Sequence, residues 1–300
     1  MDWYALSTLD DALDETRSLL TPVRVGVWLR LAVVTVFAGG ATGGRNASVS
    51  LEAVPTWGFR SALETAPRLV VLAAVALVVL AVLGFVGSVM EFVLVSALRT
   101  RTVGLRRQFA AALSPGLRLF GFQIALILGA LVPIAAVVGL ILAALGTESV
   151  ALAVVAVVFV PVAGVLALAV FLASAATTSF VVPLMQDREV GVLDGWRAFW
   201  PTLRGEIRQF VAYAAVRVAL SVLAGILTSI VAGAFAVPVA LAFSGLALGG
   251  VATGVLAAVA VLALLVAVGL LVAVQVPVTT YLRYHSLLVL EASSAEFRLR

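Results

Sequence analysis

Cysteine is absent from these 300 residues, lysine is absent too, and histidine occurs once, at His285. Without thiols there are no disulfides, no thiolate metal sites and no cysteine nucleophile. A lone imidazole does not make a zinc centre, whose protein ligands number three or four, so no metal is expected. Charge is scarce: 11% of residues are charged and 63% hydrophobic, against roughly 25% and 45–50% in soluble domains. Every one of the 19 basic residues is arginine, in a chain rich in Ala, Val and Gly, which fits a GC-rich genome and carries no mechanistic meaning. A net charge of +4 would suggest nucleic acid in a soluble domain. Here the arginines flank apolar runs, where membrane topology accounts for them, and nucleic acid is not an expected partner. Also missing are HExxH, GxSxG and the phosphate-cradling GxxxxGK[ST]. The chain is therefore expected not to be an enzyme and to hold no cofactor.

What is present is hydrocarbon. Leu69–Met90 carries a single polar side chain, Ser88, and similar runs cover Leu119–Gly146, Val150–Val182, Phe210–Phe243 and Leu246–Val278. About 20 apolar residues in a helix cross the ~30 Å hydrocarbon core, so each of these is long enough to span. A sixth, weaker span is Val25–Ala41, with Arg30 near its start, where a long side chain can reach the headgroups; its alternative is an interfacial or re-entrant segment. The predicted fold class is all-α, a polytopic bundle of about six transmembrane helices. Its partner is the lipid bilayer, and the same apolar faces suit a second copy of the chain, a homo-oligomer, equally well. No feature selects a particular protein partner.

Around these spans lie segments of different character. Residues 1–24 read as an amphipathic, interfacial helix, with Leu6, Leu9, Leu13 and Leu20 at helical spacing and Ser7 with Asp10 as a capping box. Its acidic start is unlike a secretory signal, which begins basic, so the first span is expected to stay uncleaved. Residues 44–68 read as a loop, and Asn46-Ala47-Ser48 is a glycosylation triplet. The transmembrane domain is 25–290 and the tail 291–300. Val150–Leu184 would be about 52 Å long as one helix, so tilt, a kink at Pro161 or an extension beyond the membrane must absorb the excess. Arginine clusters at Arg99–Arg118 and Arg188–Arg208, whereas the turns near Thr147–Glu148 and Pro238–Gly245 have none. Arginine-rich loops stay cytoplasmic, which predicts a cell-membrane protein with both termini inside.

The basic segments also resemble one another. Phe92 and Phe180 are 88 residues apart, Val103-Gly104 and Val190-Gly191 are 87, Phe109 and Trp196 are 87, and Arg118 and Arg208 are 90. Three parallel repeats of one interfacial helix plus two spans, at 11–97, 103–185 and 190–290, would explain this. The alternative is that apolar sequences align trivially. In the third unit Val192, Leu193, Trp196, Phe199 and Leu203 read as the apolar face of an interfacial helix, with Trp196 and Trp200 as anchors. Leu105, Phe109, Ala112 and Leu113 play that part in the second.

Three charged residues stand out as candidate binding groups. Glu91 lies within an apolar run, and an intramembrane carboxylate is a functional candidate by default; otherwise it pairs with an arginine at the headgroup boundary. Arg217 is the deepest arginine, suited to an anionic substrate group or lipid, or else to snorkelling or pairing with Glu91 or Glu206. Arg283 belongs to a cluster with Tyr281, Tyr284 and His285 at the end of the last span, read either as a headgroup or substrate contact or as an aromatic belt.

The opening Trp3-Tyr4-Ala5-Leu6, Asp11-Ala12, Trp28-Leu29-Arg30-Leu31-Ala32 and Phe37-Ala38-Gly39-Gly40, with the closing run Thr280 to Leu290, resembles an uncharacterised family of multi-pass membrane proteins from halophilic archaea. More distantly, the layout is similar to the membrane domain beside some glycerophosphodiester phosphodiesterases, though no catalytic domain is attached here. The resemblance implies architecture and location, not activity. The expected role is a non-enzymatic scaffold or accessory of the cell envelope. The alternative is a permease or channel for a small solute, an anion being the class that Arg217 would suit, with Pro161, Pro238 and Pro277 breaking helices.

Overall fold

A computed structural model describes residues 4–42, 59–102, 104–249, 251–293 and 297. The fold is all-α. In chain order the helices are α1 (Tyr4–Leu20), α2 (Val25–Thr42), α3 (Phe59–Thr100), α4 (Leu105–Thr147), α5 (Val150–Ala176), α6 (Val182–Arg188), α7 (Val192–Gly205), α8 (Ile207–Leu248) and α9 (Thr253–Ser293). A π-helical turn, Thr177–Val181, joins α5 to α6 without a break. Asn46 and its triplet lie outside the described residues.

Five segments are long and apolar enough to cross a membrane: Val70–Thr100, Leu105–Thr147, Val150–Arg188, Ile207–Leu248 and Thr253–Ser293. The sixth expected span corresponds to α2, an apolar helix of 18 residues, about 27 Å at 1.5 Å per residue. By contrast α4 has 43 residues and α8 has 42, about twice the length that a ~30 Å core requires. Each long helix therefore has a membrane-length window and an extension beyond it.

Several boundaries differ from the sequence expectation. The segment 44–68 is not a loop throughout, because α3 already starts at Phe59; Ala62, Leu63, Glu64 and Ala66 are good helix formers and sustain it. In the second unit the interfacial helix is not separate: α4 runs unbroken from Leu105 through Pro115. In the third unit a break does occur, at Glu206 (φ −124°, ψ 35°), so α7 and α8 are distinct helices. The last turn lies at Gly249 rather than near Pro238–Gly245, and Pro238 sits inside α8. The irregularity in the fourth span is at the π turn, not at Pro161. There the N–H of Val182 bonds to the carbonyl of Thr177, five residues back, just before Pro183. Proline has no N–H and crowds the carbonyl four residues earlier, and a π turn relieves both problems locally.

The chain divides into two compact units, residues 1–39, 93–105 and 200–300 in the first, and 40–92 and 106–199 in the second. In the first, α1 packs on α8 and α9, which also pack on each other. Leu20, Leu31, Ala97 and Val276 form a small core there, and the Trp28 indole N–H donates to Leu20 O at 3.2 Å. In the second, Gly116 of α4 meets Val89 of α3 so closely that a Cβ would fall 2.6 Å from Val89 Cγ2 and 2.9 Å from its Cα. The Ser88 hydroxyl donates to Gln123 Oε1 at 2.9 Å, and Phe85 meets Phe120 edge to face.

Burial is concentrated at helix ends. Ser88–Val95, Thr177–Met185 and Arg283–Leu287 are buried without interruption, whereas every residue from Val70 to Leu83 is exposed. In the most apolar window of each candidate span no more than 11% of residues are buried, so those windows are left uncovered by the other described residues.

Candidate functional site

The densest group of buried polar side chains is on α9. Thr280, Arg283, Tyr284, His285 and Ser286 are all buried, although helical spacing turns them towards different neighbours. The Tyr284 hydroxyl donates to Leu98 O at 3.2 Å. His285 Nε2 lies 2.9 Å from Ala5 O on α1. A carbonyl only accepts, so the proton is on Nε2 and Nδ1 is the free acceptor; Nδ1 is buried and has no hydrogen-bond partner among the described residues. The Tyr213 ring of α8 stacks on the imidazole, centroids 5.4 Å apart and planes at 25°. The Ser286 hydroxyl donates back to Arg283 O at 2.8 Å.

Arg217, the deepest arginine by sequence, is half-buried on α8, and its Nη1 donates to Leu282 O of α9 at 2.8 Å. That bond clamps α8 to the backbone of α9. Arg283 is 6% exposed on the residue next to that carbonyl, and Glu91 is fully buried on α3 in the second unit. The structure thus brings Arg217 to the edge of the Arg283–His285 group. The aromatic-belt reading of Tyr284 and His285 is overturned, because both are wholly inaccessible and a belt requires rings that reach the headgroups.

Helix α1 docks through small residues. The face packed on the protein is Ala5, Thr8, Ala12, Thr16 and Leu20, a small-residue stripe that allows the close approach the His285 bond needs. Leu6 and Leu13 stay exposed, at 55% and 39%. Ser7 is no cap: it lies inside α1, and its hydroxyl donates to Tyr4 O at 3.4 Å. Beside α1 opens a shallow cleft of about 360 Å³ lined by Asp11, Asp14, Glu15, Ser18, Arg101 and Leu288. Arg101 is ion-paired with Glu15 there. The carboxylates at Asp11, Asp14 and Glu15 follow one face of α1; their helical spacing is the signal by which the sequence could have disclosed the cleft. Among the described residues no group of three or more His, Cys, Asp or Glu could hold a metal.

In the second unit the π turn is held by α7. The Trp196 indole N–H donates to Thr177 Oγ1 at 3.0 Å, and the Thr177 hydroxyl donates to Ala173 O. Phe180 and Phe199 stack with centroids 5.2 Å apart. Gly195 presses so tightly on the turn that a Cβ would lie 2.8 Å from Val181 Cγ1. The expected lipid-facing side of α7 is therefore divided: Val192 and Phe199 are buried against protein, and only Leu193 and Trp200 remain exposed.

The arrangement can fasten helices to one another through buried bonds to backbone carbonyls. The chain belongs to DUF7544, a family of unknown function, which it matches over residues 3–300. No curated protein and no solved structure matches it.

Proposed function

We propose that this protein is a non-enzymatic, multi-pass scaffold or accessory of the cell envelope, its spans set in the cell membrane and both termini on the cytoplasmic side. The observation that supports this reading most directly is the use made of its intramembrane polar groups. Arg217, Tyr284 and His285 each bond to a backbone carbonyl of another helix, Leu282 O, Leu98 O and Ala5 O, so they join helices rather than face a solute path. The arginine distribution supports the orientation. A threefold repeat belongs to the same reading. Its support is that Ala112 and Phe199, at equivalent positions of two units, are buried while the residue following each, Leu113 and Trp200, is exposed. The archaeal origin rests on the terminal motifs, and the distant likeness to phosphodiesterase-associated membrane domains rests on the layout of the chain.

A permease for a small anion is the second reading, favoured by the π turn at Thr177–Val181, since transporters place interrupted helices at their substrate sites and π turns recur at functional sites. Proteoliposomes carrying the purified chain separate the two. Uptake of chloride, phosphate or a carboxylate at the rate of protein-free vesicles is the expected result. Saturable uptake abolished by Arg217→Ala would replace the scaffold with the permease.

A further inference from the structure

We propose that the corner between α7 and α8 is a docking site for the headgroup of an anionic glycerophospholipid, with Arg204 and Arg208 on the phosphate and the Trp200 indole at the level of the glycerol. Three observations converge on this corner. First, Trp200 is 44% exposed and the Arg204 guanidinium lies over its ring, 4.6 Å from the centroid. That cation–π contact orders an otherwise floppy side chain at the surface. Second, Arg208 is exposed one turn further on, and neither arginine forms an ion pair among the described residues. The nearest carboxylate in sequence, Glu206, has Oε2 buried, which turns that oxygen away from solvent and leaves the outer charge positive.

The third observation sets the depth. The exposed apolar face of α8 begins here: Ile207, Val211, Val218 and Val222 are 58%, 63%, 60% and 55% exposed and recur at helical spacing. That stripe, in a helix of this length, suits hydrocarbon. Two guanidiniums without ion pairs, one in the last turn of α7 and one in the first turn of α8, next to an indole, therefore sit where phosphates end and acyl chains begin. Guanidinium binds phosphate with paired, fork-like hydrogen bonds, so the charge complementarity selects a phosphate-bearing lipid with net negative charge over a zwitterionic one.

The test uses the full-length chain, purified in mild detergent, freed of bound lipid and titrated separately with phosphatidylglycerol and phosphatidylcholine, bound lipid being counted by native mass spectrometry. Each arginine near an anionic surface is worth about a fivefold preference, so phosphatidylglycerol should bind more than about tenfold more tightly than phosphatidylcholine. Arg204→Gln with Arg208→Gln should erase that preference while leaving phosphatidylcholine binding unchanged, Arg204→Lys with Arg208→Lys should retain most of it, and Trp200→Ala should weaken both lipids. A double Gln variant that still prefers phosphatidylglycerol as the parent does overturns the proposal. Inorganic phosphate should not displace the lipid; displacement by phosphate alone overturns it in favour of a free-anion site. Should the double variant fail to fold, salt decides on the unsubstituted chain. Raising salt from about 0.1 to 1 M cuts the screening length from about 10 to 3 Å and must remove the preference; a salt-independent preference overturns the proposal.

Discussion

Two parts of the same helix, α3, are almost equally greasy and behave in opposite ways. Val70–Leu83 is exposed at every position, whereas Ser88–Val95 is buried at every position. Only small differences in sequence separate them: Ser88 and Glu91 interrupt the second stretch, and its partner helix offers Gly116 for close approach to Val89. Lipid solvates apolar side chains as well as other apolar side chains do, so hydrophobicity gives no reason for helices to pack within the bilayer. Packing comes from close contact and from polar groups that need partners. The lesson applies equally to α9, whose Val261–Leu271 region is open while the end with Tyr284 and His285 is closed.

That contrast can be broken by substitution, most severely at the closed ends. Tyr284→Ala should lower the unfolding free energy by about 3–5 kcal/mol, as large aromatic truncations in a core do, measured by denaturant titration in detergent micelles. Leu77→Ala, at a position 68% exposed, should change the same quantity by less than about 0.5 kcal/mol; a comparable loss at both sites would erase the distinction. Next in size, Gly195→Val places a methyl group against Val181 and should cost about 1–3 kcal/mol through overpacking, read as a lower thermal midpoint. His285→Ala removes the donor to Ala5 O and leaves that carbonyl buried. It should cost about 1–3 kcal/mol and speed hydrogen exchange in α1 selectively, with α4 unchanged. The smallest effect among the buried sites is expected from Thr177→Val, which deletes the acceptor of the Trp196 indole at a cost of about 1 kcal/mol. Its readout is Trp196 emission moving to longer wavelength.

What sequence alone leaves open has a common cause. The stripe Leu6, Leu9, Leu13 marks α1 as amphipathic without telling which face docks on protein, although leucine is the stronger hydrophobe. The protein uses Ala5, Thr8, Ala12 and Thr16 instead, because a lipid-embedded or interfacial leucine loses nothing by staying outside, while small residues let backbones meet. Likewise Tyr284 and His285 carry the composition of an interfacial belt, and their actual carbonyl partners, Leu98 O and Ala5 O, lie 186 and 280 residues away in the chain. No local pattern announces such partners.

Helical class and the existence of five membrane-length segments were determined by sequence alone, because apolar length is a local quantity that adds up along the chain. Which ends of those helices close, which face of α1 docks, and that Arg217 fastens α8 to Leu282 O were decided only by tertiary structure. The physical reason is that in hydrocarbon the choice between lipid and protein contact depends on shape and on a distant polar partner, neither of which any single segment contains.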